Sequence, residues 1–420
     1  MMLLNDIIEE PKTHKFKKNS NVLLKTSITL FTLSYMFFSS LLYSINLPDK
    51  KINEKSKNVY NNKIVLTDKS KANAPELEKI YIVSRQNNDK WATSTPKYPT
   101  VDDKVIMYPI IKANINDKII YFSNTKNIKI NGKKIPSKLI KEWDLAKYDE
   151  ISLKWFKIEP TKKSYSNDNC QPGWWDKIKY KSTIFGDGNW QCNADVMPTI
   201  KDIIPLNIDK KITGTMRYKV EVKYNNKIIS SPDEKSTGKI GIKPKVHMIC
   251  VKGNTDNEYI NWLLSYGNVP YIWGSASPKR GKNKDKFHQS EVYIGADCAD
   301  LVVAAWRKID QDVPYFGSCG FKKGGLFVPK FAEYIVDKPI LNEDGVFCYN
   351  NQSMTFGKDS LIHPGDIIYF TGHVGVILQD VNKNKKLDIS DTYIEILFDT
   401  TTIKTLKNRF STDFSIIRWK

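Results

Sequence analysis

The sequence predicts an α+β protein with an all-β (immunoglobulin-like sandwich) domain in front and an N-terminal transmembrane helix. Three observations predict it. Residues 26–47 carry no charge, residues 79–245 contain short alternating segments separated by turn signals, and residues 246–420 combine helical apolar spacing with further strand-like segments. A chain of 420 residues is also too long for one ordinary core, since domains usually hold about 100 to 200 residues.

The composition describes a globular chain with a lysine-rich surface. Hydrophobic residues make up 40% of the chain and aromatic residues 12%, which is ample for packed cores. The net charge of +19 comes mostly from lysine, because only six of the 65 basic residues are arginine. Nucleic-acid surfaces favour clustered arginine within a recognisable module. We therefore predict no nucleic-acid partner, and leave open a weak attraction to anionic cell-envelope polymers.

The first 78 residues predict a membrane anchor. A basic tail at 1–25 with five lysines precedes the uncharged run at 26–47, which is long enough to cross a bilayer. The positive-inside rule places the tail in the cytoplasm and the rest outside. Residues 48–78 then form a solvated linker. The predicted location is membrane-anchored and extracytoplasmic, in the periplasm or at the cell surface. Secretion after signal cleavage is the alternative, although no small-x-small site precedes Pro48.

The β-rich module covers residues 79–245. Segments such as "KVIMYPIIKANI" and "GTMRYKVEVKYNNKII" are rich in β-branched and aromatic residues near period two, with Asn-Gly and Asn-Asn pairs at hairpin positions. This pattern favours an immunoglobulin-like β-sandwich. No cluster of titratable groups stands out, so a spacer or binding role is favoured.

Exported cysteines usually pair. Cys170 and Cys192 bracket a Trp/Gly-rich loop and form the first disulfide to consider, and Cys319 with Cys348 forms the second. If Cys298 serves chemistry, one of the other cysteines stays unpaired.

Cys298 begins a predicted helix in "DCADLVVAAW". Asp297 can cap that helix, and Leu301, Val302 and Ala305 follow Cys298 along one face. A first helical turn offers unpaired N–H groups and positive dipole potential, which stabilise a thiolate. A buried packing cysteine is the alternative interpretation.

His373 supplies a partner for that thiol. It lies in "GDIIYFTGHVGVIL", a predicted strand, bend and second strand, which can hold a base rigidly against a helix. In this arrangement His373 keeps Cys298 ionised and protonates the leaving amine.

Four motifs occur in one order along residues 250–420. They are "PYIWG" (270–274), "DCADLVVAAW" (297–306), "HPGDIIYF" (363–370) and "GHVGVIL" (372–378). In this region the chain resembles the NlpC-like cysteine peptidases, a papain-like family that cuts peptide cross-links of bacterial cell walls. The resemblance implies a papain-like domain at 246–420, with Cys298 as nucleophile and His373 as general base. It also implies a Tyr271 hydroxyl near the oxyanion, beside the backbone N–H of Cys298.

The resemblance further implies a third polar residue on the strand after His373. Matching its apolar-apolar-polar step to "YIE" places Glu395 in that role, where a carboxylate can accept the imidazole N–H and hold the tautomer. Asp391 and Asp399 are alternatives, as is a solvated Glu395.

Two departures from the family concern the substrate. Ala299 and Asp300 replace a Ser-Gly pair after the cysteine, which adds a negative charge beside it. The loop between Trp273 and Cys298 is also longer and more basic than is usual. It could wall the cleft or contact an acidic substrate, or it is an ordinary solvated loop.

The segment "DVNKNKKLDISD" (380–391) predicts a structural calcium loop, with a polar hairpin turn as the alternative. Oxygen ligands at calcium-loop spacing would come from Asp380, Asn382, Asn384, the backbone carbonyl of Lys386, Asp388 and Asp391. Lys385 replaces the usual turn glycine. Calcium would brace the neighbouring strands, and catalysis itself requires no cofactor.

The combined prediction is an extracytoplasmic cysteine hydrolase that cleaves an amide bond in peptidoglycan peptides through an acyl-enzyme. An amidase or acyltransferase on another substrate is one alternative. A catalytically silent cell-wall binding protein is the other.

Overall fold

A computed structural model describes residues 74–165, 178–238, 241–243, 245–275, 289–309, 313–325 and 328–420. All of these belong to one compact unit, Asp68–Lys420. The predicted tail, the segment at 26–47, nearly all of the linker and Cys170 lie outside the described residues. Within those ranges no helix is long and apolar enough to cross a membrane.

Strands fill the first part of the described chain. They are β1 (Glu76–Gln86), β2 (Ala92–Thr93), β3 (Val105–Ile115), β4 (Lys118–Phe122), β5 (Ile128–Ile130), β6 (Lys133–Lys134), β7 (Ile140–Lys141), β8 (Ser152–Pro160), β9 (Ser164–Tyr165), β10 (Tyr180–Asp187), β11 (Cys192–Asn193), β12 (Leu206–Ile208), β13 (Lys211–Tyr224), β14 (Lys227–Ser230), β15 (Thr237–Gly238), β16 (Gly241–Ile242) and β17 (His247–Val251).

Two of the sheets formed by these strands share a core. The first sheet has the order β6-β5-β2-β1-β3-β4-β7, and β11 also pairs with β3. The second has the order β10-β8-β13-β12, and β14 and β17 also pair with β13. The core between them is built from Ile80, Ile82, Val105, Met107, Ile111, Ala113, Phe122, Leu153, Trp155, Val196, Met216, Tyr218, Val220, Val222 and Ile249.

Local turn chemistry sets the hairpins. Five two-residue connections have positive φ at both positions, the requirement of a type I′ turn, which Asn, Asp and Gly tolerate best. The connections are Asn116-Asp117, Asn131-Gly132, Asp209-Lys210, Asn225-Asn226 and Asn350-Asn351. The residues between strands therefore fix the pairing of each hairpin.

The rest of the described chain holds three short helices and ten further strands. They are α1 (Glu258–Leu264), β18 (Tyr271–Ile272), α2 (Cys298–Arg307), α3 (Val328–Phe331), β19 (Ala332–Asp337), β20 (Ile340–Leu341), β21 (Phe347–Tyr349), β22 (Gln352–Ser353), β23 (Ile367–Phe370), β24 (His373–Gln379), β25 (Thr392–Glu395), β26 (Thr402–Thr405) and β27 (Ser415–Trp419).

A six-stranded antiparallel sheet carries the two longer helices. Its order is β19-β27-β23-β24-β25-β26. Helix α2 packs on β24 and on α1. At the far end of α2, Trp306 stacks on Trp419 of β27 with ring centroids 4.4 Å apart, and Tyr259 of α1 meets Trp306 edge-on at 5.1 Å. This packing fixes where the helix begins relative to the sheet.

Strand pairing also joins the two parts of the chain. β17 pairs antiparallel with β13, and β18 pairs parallel with β9 through Tyr271–Ser164 and Ile272–Tyr165. The predicted boundary between residues 245 and 246 therefore lies immediately before a strand of the second sandwich sheet.

The predicted fold class is wrong. In the described ranges three α-helices of 7, 10 and 4 residues accompany 27 strands, so this part of the chain is mostly β and is not the predicted papain-like α+β fold; the predicted transmembrane segment at 26–47 lies outside the described residues. The physical reason is composition, because segments such as Ala332–Asp337, "AEYIVD", carry β-branched and aromatic residues that favour strands. The immunoglobulin-like order is also wrong, since the first seven strands lie in one sheet instead of alternating between two.

Candidate functional site

Cys298 is the first residue of α2, and Asp297 caps that helix. One carboxylate oxygen of Asp297 accepts the backbone N–H of Asp300 at 2.9 Å. The other accepts the backbone N–H of Gly274 at 2.8 Å, which ties the helix start to the segment after β18. The backbone of Cys298 is thus held from two directions, and its side chain is only 8% exposed.

The sulfur of Cys298 faces the start of β24. The backbone N–H of Val374 lies against this sulfur and favours its ionised form. Val374 directly follows His373, and because successive strand side chains point to opposite faces, Val374 packs in the cluster of Cys298 while the His373 ring packs on Phe370 of another cluster. Cys298 and Val374 also belong to one buried cluster, which excludes water from beneath the sulfur.

His373 and Glu395 form a buried pair. Nε2 of His373 lies 2.6 Å from a carboxylate oxygen of Glu395, and the two side chains are 0% and 1% exposed. Because a carboxylate can only accept, Nε2 carries the proton in a neutral imidazole. Nδ1 is buried and has no hydrogen-bond partner among the residues that the structure describes. The ring therefore keeps one lone pair unused.

Strand register places this pair. Val376 of β24 pairs with Ile394 of β25, so Glu395, one residue further along, lies diagonally opposite His373 on the same face. Gly372, with φ +86°, makes the tight bend that starts β24 at His373. The geometry follows from antiparallel pairing and needs no irregular backbone at the histidine itself.

Lys404 completes a row of three polar side chains. Its ammonium contacts the second carboxylate oxygen of Glu395 from the neighbouring strand β26. Burial alone would raise the pKa of Glu395, but the hydrogen bond to His373 and the ammonium of Lys404 hold it below its ordinary value. Glu395 is therefore an ionised carboxylate at neutral pH, able to stabilise a cationic imidazole.

Two aromatic rings enclose His373. Phe370 stacks on the imidazole with centroids 6.0 Å apart, and Phe410 packs against it at 5.0 Å. Phe410 is itself 50% exposed. The ring of His373 is thus fixed in orientation, with Phe410 as its cover toward solvent.

Tyr271 lies on the other side of Cys298. Its backbone bridges Ala296, two residues before the cysteine, and its ring packs at 5.1 Å on the exposed ring of Phe398. Burial and the nearby carboxylate of Asp297 raise the pKa of Tyr271, so its hydroxyl keeps its proton and can donate.

The thiol of Cys298 is protonated in this arrangement. Burial is the largest cause and raises the pKa of Cys298 far above its ordinary value. The charges of Asp297 and Asp300 raise this pKa further, and the backbone N–H of Val374 lowers it. In the described part of the chain, no hydrogen bond links Cys298 to His373. The thiol of Cys298 is therefore neutral in the resting site.

The two alternatives to Glu395 lie elsewhere. Asp399 is ion-paired with Lys163 at 3.1 Å. Asp391 is buried in the 380–391 loop, where it accepts the backbone N–H groups of Val381 and Asp388. Neither carboxylate binds His373.

The predicted calcium ligands bond to one another. The side-chain amides of Asn382 and Asn384 both donate to Asp388 at 2.7 Å, and Asp380 accepts the backbone N–H of Lys385 at 2.9 Å. Among the described residues no group of three His, Cys, Asp or Glu side chains is placed to hold a metal. The calcium loop stays a prediction.

The cysteines with described positions are all free thiols. Cys192 is half-buried, Cys250 is buried, Cys319 is exposed and Cys348 is half-buried. The Cys319–Cys348 pairing is therefore wrong. Cys170, the expected partner of Cys192, lies outside the described residues.

Sequence reasoning missed Lys404 and Phe410. Lys404 is an isolated lysine in "TIKT", and Phe410 lies in the loop after β26. Only the strand pairing of β25 with β26 brings Lys404 to Glu395, through the Glu395–Thr402 pair. The alternation of side chains along β26 could have predicted Lys404 only once that pairing was known.

The resemblance to NlpC-like peptidases depends on the four motifs alone. No protein-family model, no curated protein and no solved structure matches this chain.

Proposed function

We propose that this chain is an extracytoplasmic cysteine hydrolase that cleaves an amide bond in peptidoglycan peptides. One observation carries the proposal. His373 is held by Glu395 through Nε2 and keeps Nδ1 unpaired, and the next residue places its N–H against the sulfur of Cys298. A buried base with a spare lone pair, one residue along the strand from a backbone contact to a helix-start thiol, supports a nucleophilic role for that thiol.

The first step moves the thiol proton. Nδ1 of His373 accepts the proton of Cys298 as the sulfur attacks the carbonyl carbon of the substrate, and a C–S bond forms. The pKa of Cys298 is raised, so this transfer accompanies attack instead of preceding it. The imidazolium that results lies against ionised Glu395, which stabilises its charge.

Breakdown of the adduct uses the same proton. His373 returns it to the amine nitrogen as the C–N bond breaks, and an acyl-enzyme remains on Cys298. Water then gives a proton to Nδ1 and attacks the acyl carbon, after which the C–S bond breaks and the sulfur takes the proton back. The products are one carboxylate and one amine, and both side chains return to their starting states.

The developing oxyanion needs donors near Cys298. The backbone N–H of Cys298 begins the helix, where N–H groups lack intrahelical acceptors. The Tyr271 hydroxyl keeps its proton, and the backbone of Tyr271 bridges Ala296 just before the helix. Together they supply a backbone donor and a side-chain donor for the oxyanion.

The substrate class is supported by the four motifs and by the predicted export of the chain. We infer a peptide of the cell wall, and with it a membrane-anchored location. The same chemistry would serve an amidase or an acyltransferase, because only the acceptor of the acyl group differs.

The test is release of fragments from purified peptidoglycan by the full chain, identified by mass. Cys298→Ala and His373→Ala should abolish release, while the matched control Cys319→Ala, which removes an exposed thiol, should release the same fragments as wild type. The mass of the fragments identifies the bond. Equal release by wild type and Cys298→Ala would contradict the proposal.

A silent wall-binding protein is the second candidate, favoured by the raised pKa of Cys298. Iodoacetamide labelling separates the two functions. A hydrolase should label at Cys298 more slowly after His373→Ala, because the base is lost. A silent protein should label at the same rate in both forms.

A further inference from the structure

The β-rich part contains a cavity of about 420 Å³. Strand β1, the turn after β2, the segment after β14 and the start of β17 form its walls. None of its lining residues belongs to the Cys298 site. Its volume is that of a small-molecule pocket, for which roughly 300 to 1,000 Å³ is typical.

His247 lies in the wall of this cavity with an unused polar atom. Its side chain is 5% exposed, and Nε2 is 3.0 Å from the hydroxyl of Ser84. In the described ranges Nδ1 has no hydrogen-bond partner of standard geometry, although the Ser94 backbone interacts with the imidazole and favours its protonated form. Burial lowers the pKa of His247 to about 4, so the ring is neutral at pH 7 and offers a single polar atom. Buried polar atoms usually form hydrogen bonds, so Nδ1 of His247 is available to bond a ligand.

The charged residues in the lining are both lysines. Lys79 and Lys245 contribute to the wall, and no Asp or Glu does. In the described ranges neither lysine forms an ion pair with a carboxylate. Lys97, whose charge also reaches His247, is already paired with Asp89 at 2.6 Å. Both lysines are exposed, and the Lys79 ammonium lies 5.0 Å from the centroid of the Tyr81 ring, so the cavity lining carries two ammonium groups without a carboxylate partner in the described ranges.

The remaining polar lining consists of uncharged donors and acceptors. Ser94, Thr95, Asn131 and Ser231 line the cavity with the apolar side chains of Tyr81 and Ile82. Such a mixture of a few polar groups on an apolar wall is typical of sites for small organic ligands.

We propose that this cavity binds a small organic ligand that carries one anionic group, a carboxylate or a phosphate. The anionic group pairs with Lys79 and Lys245, and the body of the ligand reaches Nδ1 of His247. Carboxylates and phosphates both pair strongly with ammonium groups that lack another partner. This site is separate from the hydrolase proposal, since no residue is shared, and it gives the β-rich part a binding role of its own.

The test is calorimetric titration of the full chain with two probes, glycerol 3-phosphate and N-acetyl-D-alanyl-D-alanine. The first supplies a phosphate and the second a carboxylate, so the two arms identify the anionic group. Binding by wild type should weaken about tenfold in Lys79→Ala and in Lys245→Ala, as expected for loss of one charge-assisted contact. The matched control is Lys118→Ala, an exposed lysine of the same first sheet.

His247→Gln tests the buried atom. His247→Gln should weaken binding of the probe. Circular dichroism checks that this variant and the two lysine variants fold like wild type. If His247→Gln does not fold, the affinities of the lysine variants test the proposal. Absence of binding for both probes would overturn the proposal. So would equal affinity of wild type, Lys79→Ala and Lys245→Ala. Peptidoglycan cleavage by Cys298 is measured separately, so failure of one proposal leaves the other standing.

Discussion

Glu395 lies 2.6 Å from His373 through one carboxylate oxygen and contacts Lys404 through the other, while its side chain is 1% exposed. A buried carboxylate with both oxygens occupied has little freedom to move. The histidine it holds is therefore fixed in one tautomer, with Nδ1 free for the thiol.

We predict that Glu395→Gln lowers the rate of hydrolysis by about a hundredfold while leaving the fold intact. The amide oxygen can still accept the Nε2 proton, but the charge that stabilises the imidazolium is gone. Glu395→Ala should in addition destabilise the fold by about 1 to 3 kcal/mol, because it leaves a buried donor unpaired. Rates and unfolding free energies of both variants check this. A fully active Glu395→Gln would mean that Glu395 has only a structural role.

We predict that Lys404→Met shifts acid unfolding to higher pH. The pKa of Glu395 lies below its ordinary value of 4.5, so its contribution to stability is present above that value and is lost as pH falls through the lower, folded-state pKa. Removing the Lys404 ammonium raises that pKa and narrows the stable range. The unfolding midpoint on acid titration measures it, with Lys407→Met as an exposed control. Equal unfolding midpoints for wild type and Lys404→Met would mean that the Lys404 ammonium does not stabilise ionised Glu395.

We predict that Asp300→Asn speeds the alkylation of Cys298. Burial is the main cause of the raised pKa of Cys298, and the negative charges of Asp297 and Asp300 add to it. Removing one charge lowers the pKa and increases the thiolate fraction, by up to about tenfold for each unit of pKa. Cys319, exposed in the same chain, serves as an internal reference in iodoacetamide mapping. Rapid labelling of wild-type Cys298 at neutral pH would instead indicate a preformed ion pair.

We predict that the 380–391 loop makes the protein less stable as pH rises. Burial raises the pKa of Asp391 to about 7 from 3.8, against two backbone hydrogen bonds, with the charges of Asp388 and Asp380 adding to the rise. Because the folded-state pKa of Asp391 lies above its ordinary value of 3.8, Asp391 contributes to stability at low pH. This contribution is lost as pH rises through about 7. The loss is at most about 4 kcal/mol. Urea unfolding across that pH range should show wild type losing stability as pH rises while Asp391→Asn, which does not titrate, stays level, so the two proteins diverge toward high pH.

Calcium binding gives a second test of the 380–391 loop, because it would stabilise the protein where rising pH destabilises it. If the predicted ligands bind it, calcium holds Asp391 ionised and raises the melting temperature at alkaline pH relative to chelator. Asp380→Ala should remove that increase. An identical melting temperature with calcium and with chelator would leave the loop as a polar hairpin.

Short sequence patterns located two residues of the candidate site, Glu395 and Cys298. The step "YIE" placed Glu395, and the structure brings it to His373. The spacing in "DCADLVVAAW" placed Cys298 at a helix start, where α2 begins. The helix start follows from side-chain periodicity within one element, whereas Glu395 was implied by the resemblance to NlpC-like peptidases.

Contacts between distant segments were beyond such reasoning. Lys404 reaches Glu395 only through the pairing of two strands, and β18 pairs with a strand more than a hundred residues earlier. The fold class failed for the same reason, since short apolar segments are compatible with strands or helices until their partners are known. The raised pKa of Cys298 likewise follows from tertiary burial.

Because β18 pairs in parallel with β9, the site depends on a strand that lies outside residues 246–420. Lys163, directly before β9, accepts the backbone N–H of Tyr271 at its carbonyl and pairs through its ammonium with Asp399, beside Phe398. A fragment limited to residues 246–420 would keep Cys298 and His373 but lose the support behind Tyr271. Transferring the Cys298 site into another protein therefore requires the β-rich part as well.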